Sequence, residues 1–228
     1  MFDILWQLDF EPFALSLKLA SITTALLFVF SVPLAWHLSQ TTSKTKPLLE
    51  ALTALPIVLP PSVIGFYILV ALSQNSPLGA FFKDVFGVEL VFNFSSLVIA
   101  SCFYSLPFMV QPLQNGFESL NKNMLEASYL AGKTTLQTLL KVALPNIKPQ
   151  ILTATIITFA HTVGEFGVVL MVGGSIAGET KVASVAIYEM VETLEYQSAH
   201  IYSALMIGIS FVVLVGVYFF NARWRRGV

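Results

Sequence analysis

The sequence predicts an all-α integral membrane protein of about five transmembrane helices, carrying one long cytoplasmic loop. Three observations lead there. Of the 228 residues, 56% are hydrophobic and only 11% are charged, against about one quarter charged in an average soluble domain. A soluble fold of this length could not hide so much apolar side chain, whereas a bilayer is itself an apolar solvent. Five stretches reach the roughly 20 mostly apolar residues that a spanning helix needs. Lys and Arg gather on one side of those stretches, as they do in cytoplasmic loops.

The first stretch runs from about Pro12 to Leu38. A cleavable signal peptide opens on Lys or Arg and has a shorter apolar core. This tail carries Asp3, Asp9 and Glu11, so the segment is expected to stay. The second stretch runs from Ala51 to Leu72, the third from Phe94 to Phe117, the fourth from Ile151 to Val172 and the fifth from Ile201 to Asn221. Together they make one transmembrane domain, 1–228, with spans at about 12–38, 51–72, 94–117, 151–172 and 201–221. Pro56, Pro60 and Pro61 crowd the second span, and Pro107 and Pro112 lie in the third. A proline removes a backbone donor and is expected to kink its helix, and carbonyls freed in a membrane must find partners inside the protein. Kinks of this kind suit a bundle packed around a pathway, although prolines are common in membrane helices generally.

With the amino terminus outside, the cytoplasmic side holds Lys44, Lys46, Lys122, Lys133, Lys141, Lys148, Arg223, Arg225 and Arg226. Lys83 and Lys181 fall outside, with Lys18 near the outer end of the first span. Asp3, Asp9, Glu11, Asp84, Glu89, Glu179, Glu189, Glu192 and Glu195 also fall outside. The carboxyl terminus is then cytoplasmic. The lone cysteine, Cys102, excludes an internal disulfide and any cysteine-built metal cluster and reads as a buried, inert thiol.

The loop from Glu118 to Gln150 joins the third and fourth spans. Leu125, Tyr129, Leu136, Leu139, Leu140 and Val142 recur at threes and fours, the spacing of amphipathic helix. Asn121 or Asn123 can cap a first piece, with Glu126 favourable in its first turn. Gly132 permits a tight turn, and Pro145 and Pro149 are expected to end the second piece. Two short helices on the cytoplasmic side form either a docking surface or a pair lying on the membrane with no partner. The run Ala127 to Thr134, A-S-Y-L-A-G-K-T, approaches the phosphate-loop pattern. Its first glycine is replaced by Ala127, and no buried strand precedes it, as that motif requires.

Within this loop Glu126-Ala127-Ser128, then Gly132, then Val142-x-Leu144-Pro145 resembles the EAA loop of binding-protein-dependent ABC importer permeases. Ser128 stands where the family pattern has Ala, and Val142 where it has Ile. The resemblance implies the type I ABC importer permease fold. It also implies that Glu126, Ala127, Ser128, Gly132, Leu144 and Pro145 belong to coupling helices seated in a groove of a separate ATPase subunit. The permease would then be no enzyme itself and would bind no cofactor, ATP and Mg being used by its partner.

Leu55 to Tyr67, L-P-I-V-L-P-P-S-V-I-G-F-Y, resembles the second-helix signature of molybdate permeases. Gly164-Glu165-Phe166-Gly167 and Gly173 to Thr180 resemble the G-E-F-G and G-N-I-P-G-x-T stretches of molybdate and sulfate permeases, with Ser175 for Asn and Ala177 for Pro. Ala186-Ile187-Tyr188-Glu189 continues the likeness to the molybdate branch, so that roughly residues 12 to 222 are covered. The family implies import of molybdate or tungstate into a bacterial cell through the inner membrane. Its partners would be a second copy of this subunit, two ATPase subunits on the cytoplasmic side, an external molybdate-binding protein and the lipid bilayer, with no nucleic acid. The turn 173–180 and the outer loop 74–93 are expected contacts for the binding protein. The layout agrees with shorter family members that lack an extra amino-terminal helix, and no regulatory domain is expected after Arg226.

Glu165 is the one acid expected deep in a span, where insertion costs about 2.5–3.5 kcal/mol. With Gly164, Gly167, Pro60 and Pro61 it is a candidate for the pathway or gate. The alternative is a structural acid bonded to hydroxyls, which an oxyanion path favours because an ionised Glu would repel the cargo. His161 lies four residues earlier on the same face and is expected to bond Glu165, two ligands being too few for zinc. The other polar groups in the spans are the hydroxyls of Ser16, Ser21, Thr23, Thr24, Ser62, Thr155 and Thr158, which can line a path or join helices. The competing readings are a sulfate or thiosulfate permease and a stand-alone secondary transporter. Against the latter, five helices do not divide into two equal repeats. No nucleophile–base constellation suggests an intramembrane enzyme.

Overall fold

The computed structural model describes residues 9–226. Asp3 lies outside the described residues, and of Arg223, Arg225 and Arg226 only the backbone is described. Among the described residues the regular structure is all helical. The first helix, α1, spans Glu11–Gln40. It opens on Glu11 with Pro12 in its first turn, where a missing N–H needs no partner. Its buried face, including Leu19, Thr23, Leu27 and Ser31, repeats every four residues and packs on the later helix Phe94–Glu118.

The second span is two helices, α2 (Lys46–Val58) and α3 (Pro61–Leu72), whose axes differ by 110°. A proline drives the residue before it out of helical conformation. Leu59 (ψ 139°) and Pro60 (ψ 138°) are both extended, each standing before a proline. Single prolines do less. Pro56 sits inside α2, and Pro107 and Pro112 lie within α5 (Phe94–Glu118), which remains one 25-residue helix. The chain thus breaks where two prolines adjoin. Between α3 and α5 a short helix, α4, occupies Pro77–Phe86.

After α5 come α6 (Lys122–Leu130), α7 (Thr135–Thr138), a π-helical turn (Leu139–Ala143) and α8 (Leu144–Asn146). Pro145 and Pro149 each sit in the first turn of the helix that follows rather than ending one. The Leu144 N–H bonds the Leu139 carbonyl, five residues back. This wider turn relieves the crowding that a proline ring imposes on the preceding turn. The fourth span is again a bent pair, α9 (Lys148–Val163) and α10 (Gly167–Gly173), with axes 59° apart. α11 (Ala183–Glu192) and α12 (Tyr196–Arg226) complete the chain.

Among the described residues three helices, α1, α5 and residues 196–216 of α12, are long and apolar enough to cross a membrane, and up to five spans result if each bent pair counts as one. α1 and α9 flank α5, while α3 packs along α10. At one end of the bundle Trp36 meets Phe117 edge-on at 5.2 Å in a core with Leu113, Leu125, Leu139 and Ile147. At the other end Phe13 and Tyr202 pack with Ala183 and Ala186. The segment 118–147 therefore sits on the first end, and residues 73–93 and 174–195 on the second. Beyond the Tyr202 cluster, residues 196–216 of α12 touch little protein, as suits a lipid-facing helix.

Candidate functional site

The segment after α5 is a rigid helical hairpin. Asn121 caps α6, its side chain accepting the Asn123 N–H at 2.9 Å. α6 ends where the Gly132 N–H bonds the Tyr129 carbonyl at 2.9 Å and Gly132 takes φ +77°, a left-handed conformation that glycine adopts without strain. Thr134 then caps α7, with reciprocal bonds to Gln137. Ser128 and Thr138, both buried, bond across the turn at 2.9 Å. Leu125, Leu139, Ala143 and Ile147 anchor the hairpin to the bundle core.

Its free face is the informative one. Glu126, Ala127, Gly132 and Pro145 are exposed, Leu144 is half-buried and Ser128 is buried. Leu130 is 90% exposed and Leu136 63%, flanked by Glu126, Lys122 and Lys133. Apolar knobs held out on a rigid polar surface are what a partner covers. Residues 127–130 lie inside α6, so this segment lacks the strand-to-helix turn of a phosphate loop. Beside the hairpin, Lys46 bonds Glu118 at 2.9 Å, and Gln114 bonds both Glu50 at 2.6 Å and Glu118 at 3.0 Å. This network ties the start of α2 to the end of α5.

A second locus lies mid-bundle, where the two helix breaks meet. A β-carbon on Gly167 would stand 3.0 Å from the Pro61 Cβ, and one on Gly65 would stand 2.7 Å from the Met171 Cβ. Pro60 and Pro61 are exposed beside this contact, and so is Gly164. Glu165 is only 4% exposed. Its backbone carbonyl accepts the Ser184 hydroxyl at 2.6 Å, while its carboxyl lies beside the buried Ser101 hydroxyl without a well-formed hydrogen bond. The expected His161–Glu165 pair does not form. Pairing at i,i+4 needs a continuous helix, and α9 ends at Val163, so Glu165 leaves the face that carries His161. His161 instead bonds Ser105 at 2.9 Å, which also contacts Thr162 at 3.0 Å, and it stacks on Phe108 at 4.1 Å.

Residues 28–226 match the family described as binding-protein-dependent transport system inner membrane component. The chain belongs to that family. The permease is 45% identical over 220 residues to the molybdenum transport system permease protein ModB of Azotobacter vinelandii, covering 96% of this chain and 97% of that one. It is 30% identical over 200 residues to the sulfate transport system permease protein CysT of Salmonella typhimurium, covering 88% of this chain and 72% of the relative. In fold it resembles the crystal structure of a bacterial ABC transporter that imports alginate, with a TM-score of 0.75, 19% identity, and coverage of 99% of this chain and 82% of that one.

It is thus a multi-pass inner-membrane permease of the ABC importer type, a class that acts with an ATPase and a periplasmic binding protein. The structure brings Glu126, Ala127, Ser128 and Gly132 into one hairpin, and Leu144 and Pro145 close its base. It separately brings Pro61 to Gly167. Leu130 and Leu136 were not singled out as surface features by the sequence pattern. Leu136 lies on the apolar spacing and is nevertheless exposed, because periodicity shows that a face exists and not which element covers it.

Proposed function

We propose that this permease carries molybdate, with tungstate as a close analogue, from an external binding protein into the cytoplasm, driven by a separate ATPase. The observation that carries the substrate is the full-length likeness to the Azotobacter vinelandii molybdenum permease. The lower likeness to a sulfate permease over less of the chain makes sulfate the second reading.

In this reading the hairpin end is cytoplasmic, since Lys44, Lys46, Lys122, Lys133, Lys141 and Lys148 gather there. Glu126, Ala127 and Gly132, with Leu130 and Leu136 beside them, meet the ATPase, while Leu144 and Pro145 hold the base of the hairpin. Ser128 braces the hairpin from within. Two copies of the permease form the pathway, and two ATPase subunits dock below. Pro60, Pro61, Gly164, Glu165 and Gly167 lie where the two bent spans touch, so a movement of the hairpin end reaches the middle of the membrane through α5 and α9. The turn 173–180 at the other end, held by Thr180 bonding the Gly173 carbonyl at 2.8 Å, receives the binding protein. Among the described residues no cation lies in the middle of a span, Lys18 sitting near the outer end of α1 over the Phe94 ring, so affinity belongs to the binding protein, as a conducting path needs.

ATP hydrolysis by the reconstituted complex tests this reading. Binding protein loaded with molybdate should stimulate hydrolysis above the unloaded level, and sulfate should not substitute. Equal stimulation by sulfate moves the substrate to that anion.

A further inference from the structure

Helix α4 connects α3 to α5 at the second end of the bundle, and its two faces differ sharply. Ser76 caps its start by accepting the Gly79 N–H at 2.9 Å, and Gly87 closes its end on the Lys83 carbonyl at 2.9 Å. Phe82 turns inward against the cluster of Leu72 and Leu90. Leu78, Phe81 and Val85 are exposed at spacings of three and four residues, which puts them on one side, and the exposed Phe86 borders that side next to Phe82, 5.6 Å away. Phe81 and Phe86 brace one another at 6.2 Å. Lys83 and Asp84 occupy the other side, where Lys83 pairs with Glu89 at 3.3 Å.

Position decides what covers that apolar face. α4 begins five residues after Leu72 ends one span and is followed by the start of α5 at Phe94. It is therefore held at the level where the spans leave the hydrocarbon and cannot reach far into water. A short capped helix with aromatic and aliphatic residues on one side and charges on the other is the form that lies in a membrane interface. We propose that α4 is an interfacial helix whose Leu78–Phe81–Val85 face, bordered by Phe86, is seated in the lipid headgroup and acyl boundary. Lipid is the occupant available to the chain in every state, with or without its protein partners. The loop expected to meet the binding protein is thereby divided: its apolar helix face belongs to lipid, while Lys83, Asp84 and Glu89 face water. The inference rests on the membrane placement of the family and is independent of the transported anion.

The test uses the assembled permease complex in nanodiscs, in a Cys102→Ala background. An environment-sensitive fluorophore is attached in turn at Leu78→Cys, Phe81→Cys, Val85→Cys and Asp84→Cys. Doxyl-labelled lipid should quench the first three several-fold more than the fourth, and aqueous iodide should show the reverse order. Iodide quenching at 81 and 85 equal to that at 84 would put the face in water and overturn the proposal. Shielding from both quenchers with disulfide formation between copies at 81 would assign the face to a second copy instead. Shielding that appears only when binding protein is added would assign it to that protein.

Discussion

The hydroxyls of Ser128 and Thr138 meet at 2.9 Å inside the hairpin, both buried, and so join its two helices across Gly132. Ser128 is the residue at which this sequence departs from the Glu-Ala-Ala pattern of the resembling loop, and Thr138 supplies the partner that makes a serine acceptable there. A buried hydroxyl without a partner costs about 1–3 kcal/mol, whereas replacing both partners by apolar groups of similar shape is nearly neutral. Ser128→Ala and Thr138→Val should each lower the unfolding midpoint of the purified permease, and the double variant should recover most of the loss. Additive losses in the double variant would mean that the two hydroxyls do not act as a pair.

Gly132→Pro should insert and assemble in the membrane yet lose ATP-dependent uptake. Proline is fixed near φ −65°, while Gly132 sits at +77°, so the exposed hairpin tip must reshape. Glu126→Lys should have the same effect by reversing a charge on the free face. Membrane-fraction immunoblotting set beside the uptake rate separates insertion from coupling. Normal uptake by either variant removes that residue from the ATPase contact.

Gly65 lies where α3 crosses α10, and an added β-carbon would fall 2.7 Å from the Met171 Cβ and 3.3 Å from the Val168 Cα. Gly65→Ala should therefore destabilise the protein by about 1–3 kcal/mol, the usual range for overpacking. Met171→Ala should give no rescue, because the atom in the way is the β-carbon that alanine retains. Met171→Gly should restore part of the stability. Rescue by alanine would place the clash farther out along the methionine.

Much of the architecture was legible in advance. The long apolar runs point to spans, and the paired Pro60-Pro61 to a disrupted one, since the physics there is local. Gly132 marked its turn for the same reason. The fate of the single prolines was not legible, because Pro107 and Pro112 are tolerated only through the packing of α5. The His161–Glu165 pair was misjudged because the break after Val163 changes which residues share a face. α4 was hidden for a different reason: ten residues of amphipathic pattern within a loop are too short to stand out beside the spans, and only the exposed faces in three dimensions separate Phe82 from Phe81 and Phe86.

Glu165→Gln should leave uptake close to the native rate. The carboxyl has at most the Ser101 hydroxyl as a neighbour to bond, and glutamine keeps the shape and an acceptor oxygen while removing the capacity for charge. A large loss of uptake with normal assembly would assign the charge of Glu165 a direct part in the pathway.

The central claim is tested most directly by ATP-dependent uptake of labelled molybdate into proteoliposomes holding the permease, its ATPase and the binding protein. Excess unlabelled tungstate and sulfate serve as competitors. The account predicts uptake that tungstate abolishes and sulfate leaves intact. Uptake abolished by sulfate, or absent for molybdate, would contradict the substrate assigned here.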